Sequence, residues 1–198
     1  MLNLTLVRHA KSSWESGAST DHSRPLNARG LRDAPVIAKA LIDRNVSPEL
    51  CLVSTATRTR ETVAAFIDQG LVSESCVQYE KQLYLASPDS ILDVVQIEFL
   101  TQQAKQQEQA ASDQQQFDHD HNDDQKQGLP LIQCQSVMVI AHNPGLEILT
   151  DNLSGFQTGP MPTAAVAHFT VDAEDFSVMN TATARLEFFI TPKGLQGA

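Results

Sequence analysis

Residues 2–12 read LNLTLVRHAKS. Residues 2–7 form a short apolar run, which predicts a buried first strand. The run stops at Arg8 and His9, so two polar side chains lie at the end of the predicted strand. No basic segment precedes the apolar run, and a signal peptide is therefore not expected.

Two later apolar runs end in the same way. Residues 50–53 are followed by Ser54, and residues 137–141, which read VMVIA, are followed by His142. The spacing of apolar residues predicts helices over 31–41, 57–67, 88–100 and 146–153, and further strands are predicted at 77–79, 164–171 and 186–190. Alternating strands and helices indicate an α/β fold, a three-layer α/β/α sandwich with a mostly parallel, mixed sheet.

The chain has 198 residues, of which 41% are apolar, and this fits one globular domain with a core over residues 1–198. Residues 101–128 differ in composition, because they hold 10 of the 18 glutamines and one large apolar side chain, Phe117. The helix that begins at Pro88 can extend into this stretch. We predict that the stretch as a whole is a mobile, low-complexity polar insertion.

The charge balance excludes several classes of partner. The 24 acidic and 14 basic residues give a formal net charge of −10, which argues against nucleic acids and anionic membranes, since both need clustered lysines and arginines. No apolar stretch approaches the roughly 20 residues of a membrane helix. Cys51, Cys76 and Cys134 are widely spaced and odd in number, which favours free thiols and a reducing, cytoplasmic location.

The ends of the predicted strands indicate a shared site. Ligands bind outside the carboxyl ends of strands in open α/β sheets. If the strands are neighbours, Arg8 and His9 meet His142 there, together with Arg58, which follows Ser54 by a few residues. Arginines bind tetrahedral oxyanions through paired hydrogen bonds, and imidazole is a nucleophile near neutral pH. The sequence therefore predicts a phosphoryl-binding site with a histidine nucleophile.

Three motifs, in this order along the chain, resemble those of the histidine phosphatase, or phosphoglycerate mutase-like, superfamily. LTLVRHAKSSW resembles its Arg-His-Gly signature, with Ala10 in place of the glycine. STATRTRET, which begins at Ser54, resembles the second motif, and VIAHNPG resembles the late motif with the second histidine. DHSRPLNARG, from Asp21, and MPTAAVAHF, from Met161, are similar to the SixA-type phosphohistidine phosphatase branch.

The resemblance implies a phosphoglycerate mutase-like fold and a set of roles. His9 would attack phosphorus and become phosphohistidine, which water would then hydrolyse. Arg8, Arg58 and His142 would bind the phosphoryl oxygens and stabilise charge in the transition state. No metal or cofactor is implied. Further candidates for contact with the substrate are Lys11, Ser12, Arg24 and Asn143. The alternative for Lys11 is a solvated side chain, and the alternative for Arg24 is a role in packing the loop.

Two departures from the family pattern bear on the substrate. Glu15 takes the place of an asparagine that usually touches phosphate a few residues after the nucleophile. The candidate for a carboxylic general acid, which protonates an alkoxide leaving group, is Glu80. A phosphohistidine substrate needs that acid less, because its P–N bond is already labile. Both departures favour a phosphoramidate over a sugar phosphate.

The leading hypothesis is a phosphatase of protein phosphohistidine, whose partner is a phosphotransfer domain or a phosphotransferase-system carrier. The alternatives are a phosphatase or mutase of small phosphorylated molecules, with Glu80 as the acid, and a non-catalytic module that binds phosphorylated partners. His119 and His121, interleaved with acidic residues, could bind a metal, but a solvated polar tract is the favoured interpretation. The sequence carries no signal of oligomeric state.

Overall fold

Strands and helices alternate along the chain. The computed structural model describes residues 1–15, 17–120, 134–156 and 158–196, with only the backbone for 113–120 and 196. The strands are β1 Leu2–Arg8, β2 Leu50–Ser54, β3 Val77–Glu80, β4 Ser136–Ala141, β5 Val166–Val171 and β6 Ala184–Ile190. The helices are α1 Ala28–Ile42, α2 Thr57–Asp68, α3 Pro88–Asp120, α4 Gly145–Ser154 and α5 Pro192–Gln196.

The six strands form one sheet in the order β3–β2–β4–β1–β5–β6. β3, β2, β4 and β1 are mutually parallel, and β5 pairs antiparallel with both β1 and β6. In this register Arg8 lies opposite Ala141, and Ser54 lies opposite Glu80. The predicted mixed, mostly parallel sheet is confirmed.

Helices cover both faces of the sheet. Along β1, Leu4 and Leu6 join a core shared with α3 and α4, whereas Val7 joins a second core shared with α1 and α2. β4 alternates in the same way, with Val139 in the first core and Ile140 in the second. A strand that is buried on both faces needs a nearly continuous apolar sequence. This explains the VMVIA run and confirms the three-layer sandwich.

Capping side chains fix where two of the helices begin. Asn27 accepts a hydrogen bond from the backbone N–H of Gly30 at 3.0 Å, and α1 starts directly after it. Pro35 in the helical pattern predicts either a helix start near Asp33 or a kink there. The start is not near Asp33, because α1 begins at Ala28 and contains Pro35. Before α3, the Ser87 hydroxyl accepts from the N–H of Ser90 at 3.2 Å.

The first part of the polar stretch 101–128 is helical, as the sequence allowed. α3 runs on through Asp120, and glutamine is a good helix former, so the extension needs no apolar face. The N–H of Cys134 donates to Oε1 of Gln106 at 3.0 Å. Residues 121–128 and the side chain of His119 lie outside the described residues. Within the described part of the chain, no helix has the length and apolar character needed to cross a membrane.

Candidate active site

Adjacent parallel strands bring the polar residues of the motifs together. β1, β4 and β2 are neighbours in the sheet, and their carboxyl ends lie at one edge. His9 follows β1 and His142 follows β4, and the centroids of their rings are 5.1 Å apart. The predicted convergence of the two histidines at this edge is therefore observed.

Hydrogen bonds fix the ring of His9 in one tautomer. Its Nδ1 lies 2.7 Å from the carbonyl oxygen of Ala10. Because a carbonyl oxygen only accepts, Nδ1 carries the hydrogen, and Nε2 keeps its lone pair in the neutral ring. The Nε–H of Arg58 donates to that lone pair from 3.2 Å. The buried ring thus presents Nε2 toward the arginine.

Arg58 is only 3% exposed, and hydrogen bonds hold its guanidinium from several sides. Besides the contact with His9, Nη1 donates to the carbonyl oxygen of Asp21 at 2.6 Å, and Nη2 donates to Oδ2 of Asp21 at 3.0 Å. The Thr62 hydroxyl donates to the carbonyl oxygen of Arg58 at 2.7 Å and accepts from the N–H of Ala10 at 3.0 Å. Thr62 therefore ties α2 to the residue that follows the histidine.

His142 is buried beside the end of β2. Its Nε2 lies 2.8 Å from the hydroxyl oxygen of Ser54, and the ring of Tyr84 meets it edge-on at 5.4 Å. Nδ1 of His142 has no hydrogen-bond partner among the residues that the structure describes. If Ser54 donates to Nε2, the neutral ring carries its hydrogen on Nδ1 and can donate it to a ligand.

Arg8 belongs to a network that anchors the segment before β5. Its Nη1 donates to the carbonyl oxygen of Met161 at 2.7 Å, and Nδ2 of Asn143 donates to the same oxygen at 3.1 Å. Oε2 of Glu147 accepts from Asn143 Nδ2 at 2.9 Å and from the N–H of Met161 at 2.7 Å. In the described part of the chain, Nε of Arg8 is buried without a hydrogen-bond partner.

Both histidines are held neutral. Burial lowers the pKa of His9 to about 3, and the nearby charges of Arg58 and Arg8 act in the same direction. Burial also lowers the pKa of His142 to about 2, helped by His9 and Arg58. An unprotonated Nε2 is the form of His9 that can act as a nucleophile. The site therefore keeps this form available over the whole neutral and mildly acidic range.

Two residues at the site were not found by the motif analysis, namely Asp21 and Tyr84. The carboxylate of Asp21 contacts Arg58 and also Nη1 of Arg24, at 2.5 Å. The Tyr84 hydroxyl donates to Oδ2 of Asp21 at 2.8 Å. Asp21 opens the DHSRPLNARG motif, which was a signal of its importance, but nothing in the sequence pairs it with Arg58 or with Tyr84.

A family comparison agrees with this geometry. The sequence model of the histidine phosphatase superfamily (branch 1) matches residues 4–83, which include Arg8, His9 and Arg58. Over residues 4–83 the chain is therefore similar to the histidine phosphatase superfamily, the family that the motifs resemble. The family predicted from the motifs is thus confirmed. His142 lies outside the matched residues and reaches the site through the sheet topology.

Three individual similarities extend the comparison. An uncharacterised chloroplastic protein of Arabidopsis thaliana is 34% identical over 154 residues, which is 77% of this chain and 59% of that protein. The protein histidine phosphatase SixA in complex with tungstate matches with a TM-score of 0.64 at 22% identity, covering 98% of this chain and 99% of SixA. A mycobacterial glucosyl-3-phosphoglycerate phosphatase matches with a TM-score of 0.52 at 18% identity, covering 94% and 97%. These two structures share the fold.

The remaining candidate residues lie in different settings. Nε of Arg24 donates to the carbonyl oxygen of Ser13 at 2.8 Å, and Nη2 donates to the hydroxyl of Ser12 at 2.8 Å. Ser12 and Arg24 are thus engaged with the loop, and Asn143 with Glu147 and Met161. Lys11 is half-buried near them. Trp14 is 76% exposed, and the guanidinium of Arg24 lies 3.3 Å from the centroid of its ring.

Glu80 lies at the end of β3, half-buried and opposite Ser54 in the sheet register. Burial raises the pKa of Glu80, and the charge of Glu98 acts in the same direction. Among the described residues, no hydrogen bond or ion pair joins Glu80 to His9, Arg58 or His142. The carboxylate that does contact an arginine of the site is that of Asp21.

The site is organised for anions. Two arginines and two neutral histidines surround one edge of the sheet, and the buried donors include groups that no described residue satisfies. Across the described ranges, no group of three or more His, Cys, Asp or Glu side chains is placed to hold a metal ion. Guanidinium groups recognise phosphoryl oxygens through paired N–H donors. The described residues of the site thus offer positive charge and a neutral imidazole nitrogen to such a group.

Proposed function

We propose that this protein is a phosphatase that removes the phosphoryl group from phosphohistidine of a protein partner. His9 accepts the phosphoryl group on Nε2, and water hydrolyses the resulting phosphohistidine. The observation that supports this proposal is the fixed tautomer of His9, whose Nδ1–H is held by the Ala10 carbonyl while Nε2 faces Arg58. Similarity to the histidine phosphatase superfamily over residues 4–83 agrees with it.

In this proposal the phosphoryl oxygens bind to Arg8, Arg58 and His142. Among the described residues, the buried Nε–H of Arg8 has no hydrogen-bond partner, and neither has the buried Nδ1 of His142. An unsatisfied buried donor is costly, and an oxyanion would remove that cost. Because His142 can donate from Nδ1 as a neutral ring, phosphoryl binding requires no protonation of this histidine.

Lys11, Ser12, Arg24 and Asn143 take supporting roles in this proposal. Arg24 is held by Ser12, Ser13 and Asp21 and therefore fixes the loop that carries Asp21 beside Arg58. Asn143 fixes the carbonyl oxygen that Arg8 contacts. Both residues thus position arginines, and Lys11 adds positive charge to the loop that follows His9.

Trapping the intermediate tests the proposal. Wild-type protein is incubated with radiolabelled phosphoimidazole and quenched at alkaline pH, because phosphohistidine is labile in acid. We expect label on His9, no label in His9→Asn, and undiminished label in His168→Asn. His168 is a matched control because it lies on β5, stacked on Phe188 and bonded to Thr5. Absence of label in the wild type, or label that persists in His9→Asn, would overturn the proposal.

A phosphatase of small phosphate esters is the second candidate, and the setting of Glu80 favours it. A carboxyl group whose pKa is raised by burial is suited to protonate an alkoxide leaving group. Glu80→Gln separates the two candidates in an assay with a phosphohistidine protein and phosphoserine. On the leading proposal both rates stay within about twofold of wild type. The ester phosphatase would be favoured if the wild type turned over phosphoserine faster than the phosphohistidine protein and Glu80→Gln lost only the phosphoserine activity.

A further inference from the structure

The carboxylate of Asp21 lies between the arginines of the site and the solvent. Oδ1 accepts a hydrogen bond from Arg24, and Oδ2 accepts from Arg58 at 3.0 Å and from Tyr84 at 2.8 Å. The Asp21 side chain nevertheless remains 38% exposed, whereas that of Arg58 is 3% exposed. A group that binds beside Arg58 from the solvent side therefore meets a carboxylate that is fixed in place and accessible.

Asp21 retains the capacity to accept another hydrogen bond. A carboxylate offers about four lone-pair positions, and described residues donate three hydrogen bonds to this one. Burial alone would raise the pKa of Asp21, but hydrogen bonds from Tyr84 and Arg24 and the charge of Arg58 bring it to about 2. An ionised carboxylate accepts hydrogen bonds and cannot donate one.

We propose that Asp21 makes the site specific for nitrogen-linked phosphoryl groups by accepting a hydrogen bond from the ring N–H of a phosphoimidazole leaving group. This inference rests on the proposed function. A protonated phosphoimidazole presents a cationic N–H donor, which a carboxylate attracts. The leaving oxygen of a phosphate ester has no hydrogen and gains electron density as its bond breaks, so the same carboxylate repels it.

The step balances without an external acid. The lone pair of His9 Nε2 forms a bond to phosphorus, and the P–N bond of the substrate breaks, with its electron pair passing to the leaving ring nitrogen. The leaving ring keeps the proton on its other nitrogen, held by Asp21, and departs as neutral imidazole. His9 becomes a phosphoimidazolium with Nδ1–H on the Ala10 carbonyl. Water then attacks phosphorus, the pair returns to Nε2, and the water's proton leaves with the phosphate.

Asp21→Asn tests the inference, because asparagine keeps the shape of the side chain and removes its charge. The measured quantity is the ratio of kcat/KM for phosphoimidazole to kcat/KM for phenyl phosphate. Any general damage to Arg58 lowers both values and cancels in the ratio. We expect the ratio to fall at least about tenfold, since hydrogen bonds to charged groups have that magnitude. A ratio equal to that of the wild type would overturn the role of Asp21.

Tyr84→Phe is the matched control. It removes one hydrogen bond to Oδ2 and leaves the charge of the carboxylate in place. Turnover of the two substrates should therefore change in parallel, with the ratio preserved. A fall in the ratio as large as that of Asp21→Asn would show that general disorder of the loop, and not the charge, controls specificity, and would overturn the inference.

A substrate analogue tests the same contact in the wild-type protein, which removes any dependence on the folding of a variant. Phosphorylated 1-methylimidazole is cationic but has no N–H to donate. Each rate is divided by the rate of spontaneous hydrolysis at the same pH. We expect the enhancement for the methylated compound to be at least about tenfold smaller than for protonated phosphoimidazole. Equal enhancements would overturn the inference, whereas absence of wild-type turnover and of label on His9 would overturn the proposed function as well.

Discussion

The Nε–H of Arg58 donates a hydrogen bond to Nε2 of His9 at 3.2 Å. The arginine therefore contacts the nitrogen that attacks phosphorus in the proposed function. Its positive charge disfavours a protonated His9, and this adds to the effect of burial on the pKa. Attack requires that the lone pair of Nε2 be released from the arginine. In the proposed function, a phosphoryl oxygen takes over the Nε–H of Arg58, and binding of the substrate thereby frees the nucleophile.

The two neighbouring arginines of α2 give a matched test of this relationship. Arg58→Lys keeps a positive charge but loses the planar array of donors that contacts His9 and Asp21 together. We expect kcat/KM for phosphoimidazole to fall about 100-fold. Arg60 is exposed and lies over the ring of Tyr79, so Arg60→Lys should stay within about twofold of wild type. Equal losses in both variants would contradict the assignment of Arg58.

Thr62 is predicted to support the site through its hydroxyl. Thr62→Val leaves the buried N–H of Ala10 without its acceptor and removes the side-chain hydrogen bond to the carbonyl oxygen of Arg58. We expect the free energy of unfolding in urea to drop by about 1–3 kcal/mol. Thr150 is equally buried, but among the described residues its hydroxyl donates only to the sulfur of Met161 at 3.7 Å, so Thr150→Val should cost less than about 1 kcal/mol. The reverse order would contradict the importance of the Ala10–Thr62 link.

The strand ends are the part of the site that the sequence could predict. Apolar runs ending at Arg8 and at His142 identify buried parallel strands, and parallel strands place their carboxyl ends at one edge. The sequence did not predict the order of the strands, because β4 lies between β1 and β2 in the sheet although it follows β3 and α3 along the chain. The same holds for Asp21, whose partner Tyr84 lies 63 residues away along the chain. Such contacts depend on loops that strand and helix periodicity does not describe.

Gly145 is predicted to be essential to the turn that follows His142. A Cβ at this position would overlap the carbonyl oxygen of Ala86, which is backbone and cannot move aside easily. Gly145→Ala should therefore cost about 2 kcal/mol and lower Tm by about 5 °C in calorimetry. Gly159 has open space around its Cβ position, so Gly159→Ala should leave Tm within about 1 °C. Similar Tm values for the two variants would contradict the close approach at Gly145.

The stability of the protein should depend on pH through its buried histidines. The pKa of His9 is about 3 and that of His142 about 2 in the folded chain, against 6.5 for the ordinary side chain. Between these values the unfolded chain binds protons that the folded chain does not. Acidification from pH 6.5 toward pH 3 therefore favours unfolding. Asp21 acts in the same direction but in a lower window, because its stabilising contribution is lost as pH falls from 3.8 toward about 2.

We expect the free energy of unfolding to decrease from pH 6.5 to pH 4.5 by up to about 1.4 kcal/mol per pH unit for each of the two histidines. Urea titrations of wild type and His9→Asn measure this, and the variant should show a clearly smaller slope because one titrating group is gone. Over the same range kcat/KM for phosphoimidazole, corrected for protonation of the substrate, should stay nearly constant, since Nε2 of His9 remains unprotonated. A loss of activity centred near pH 6.5, together with equal slopes in the two urea titrations, would mean that His9 titrates like an exposed histidine and that burial does not hold it neutral.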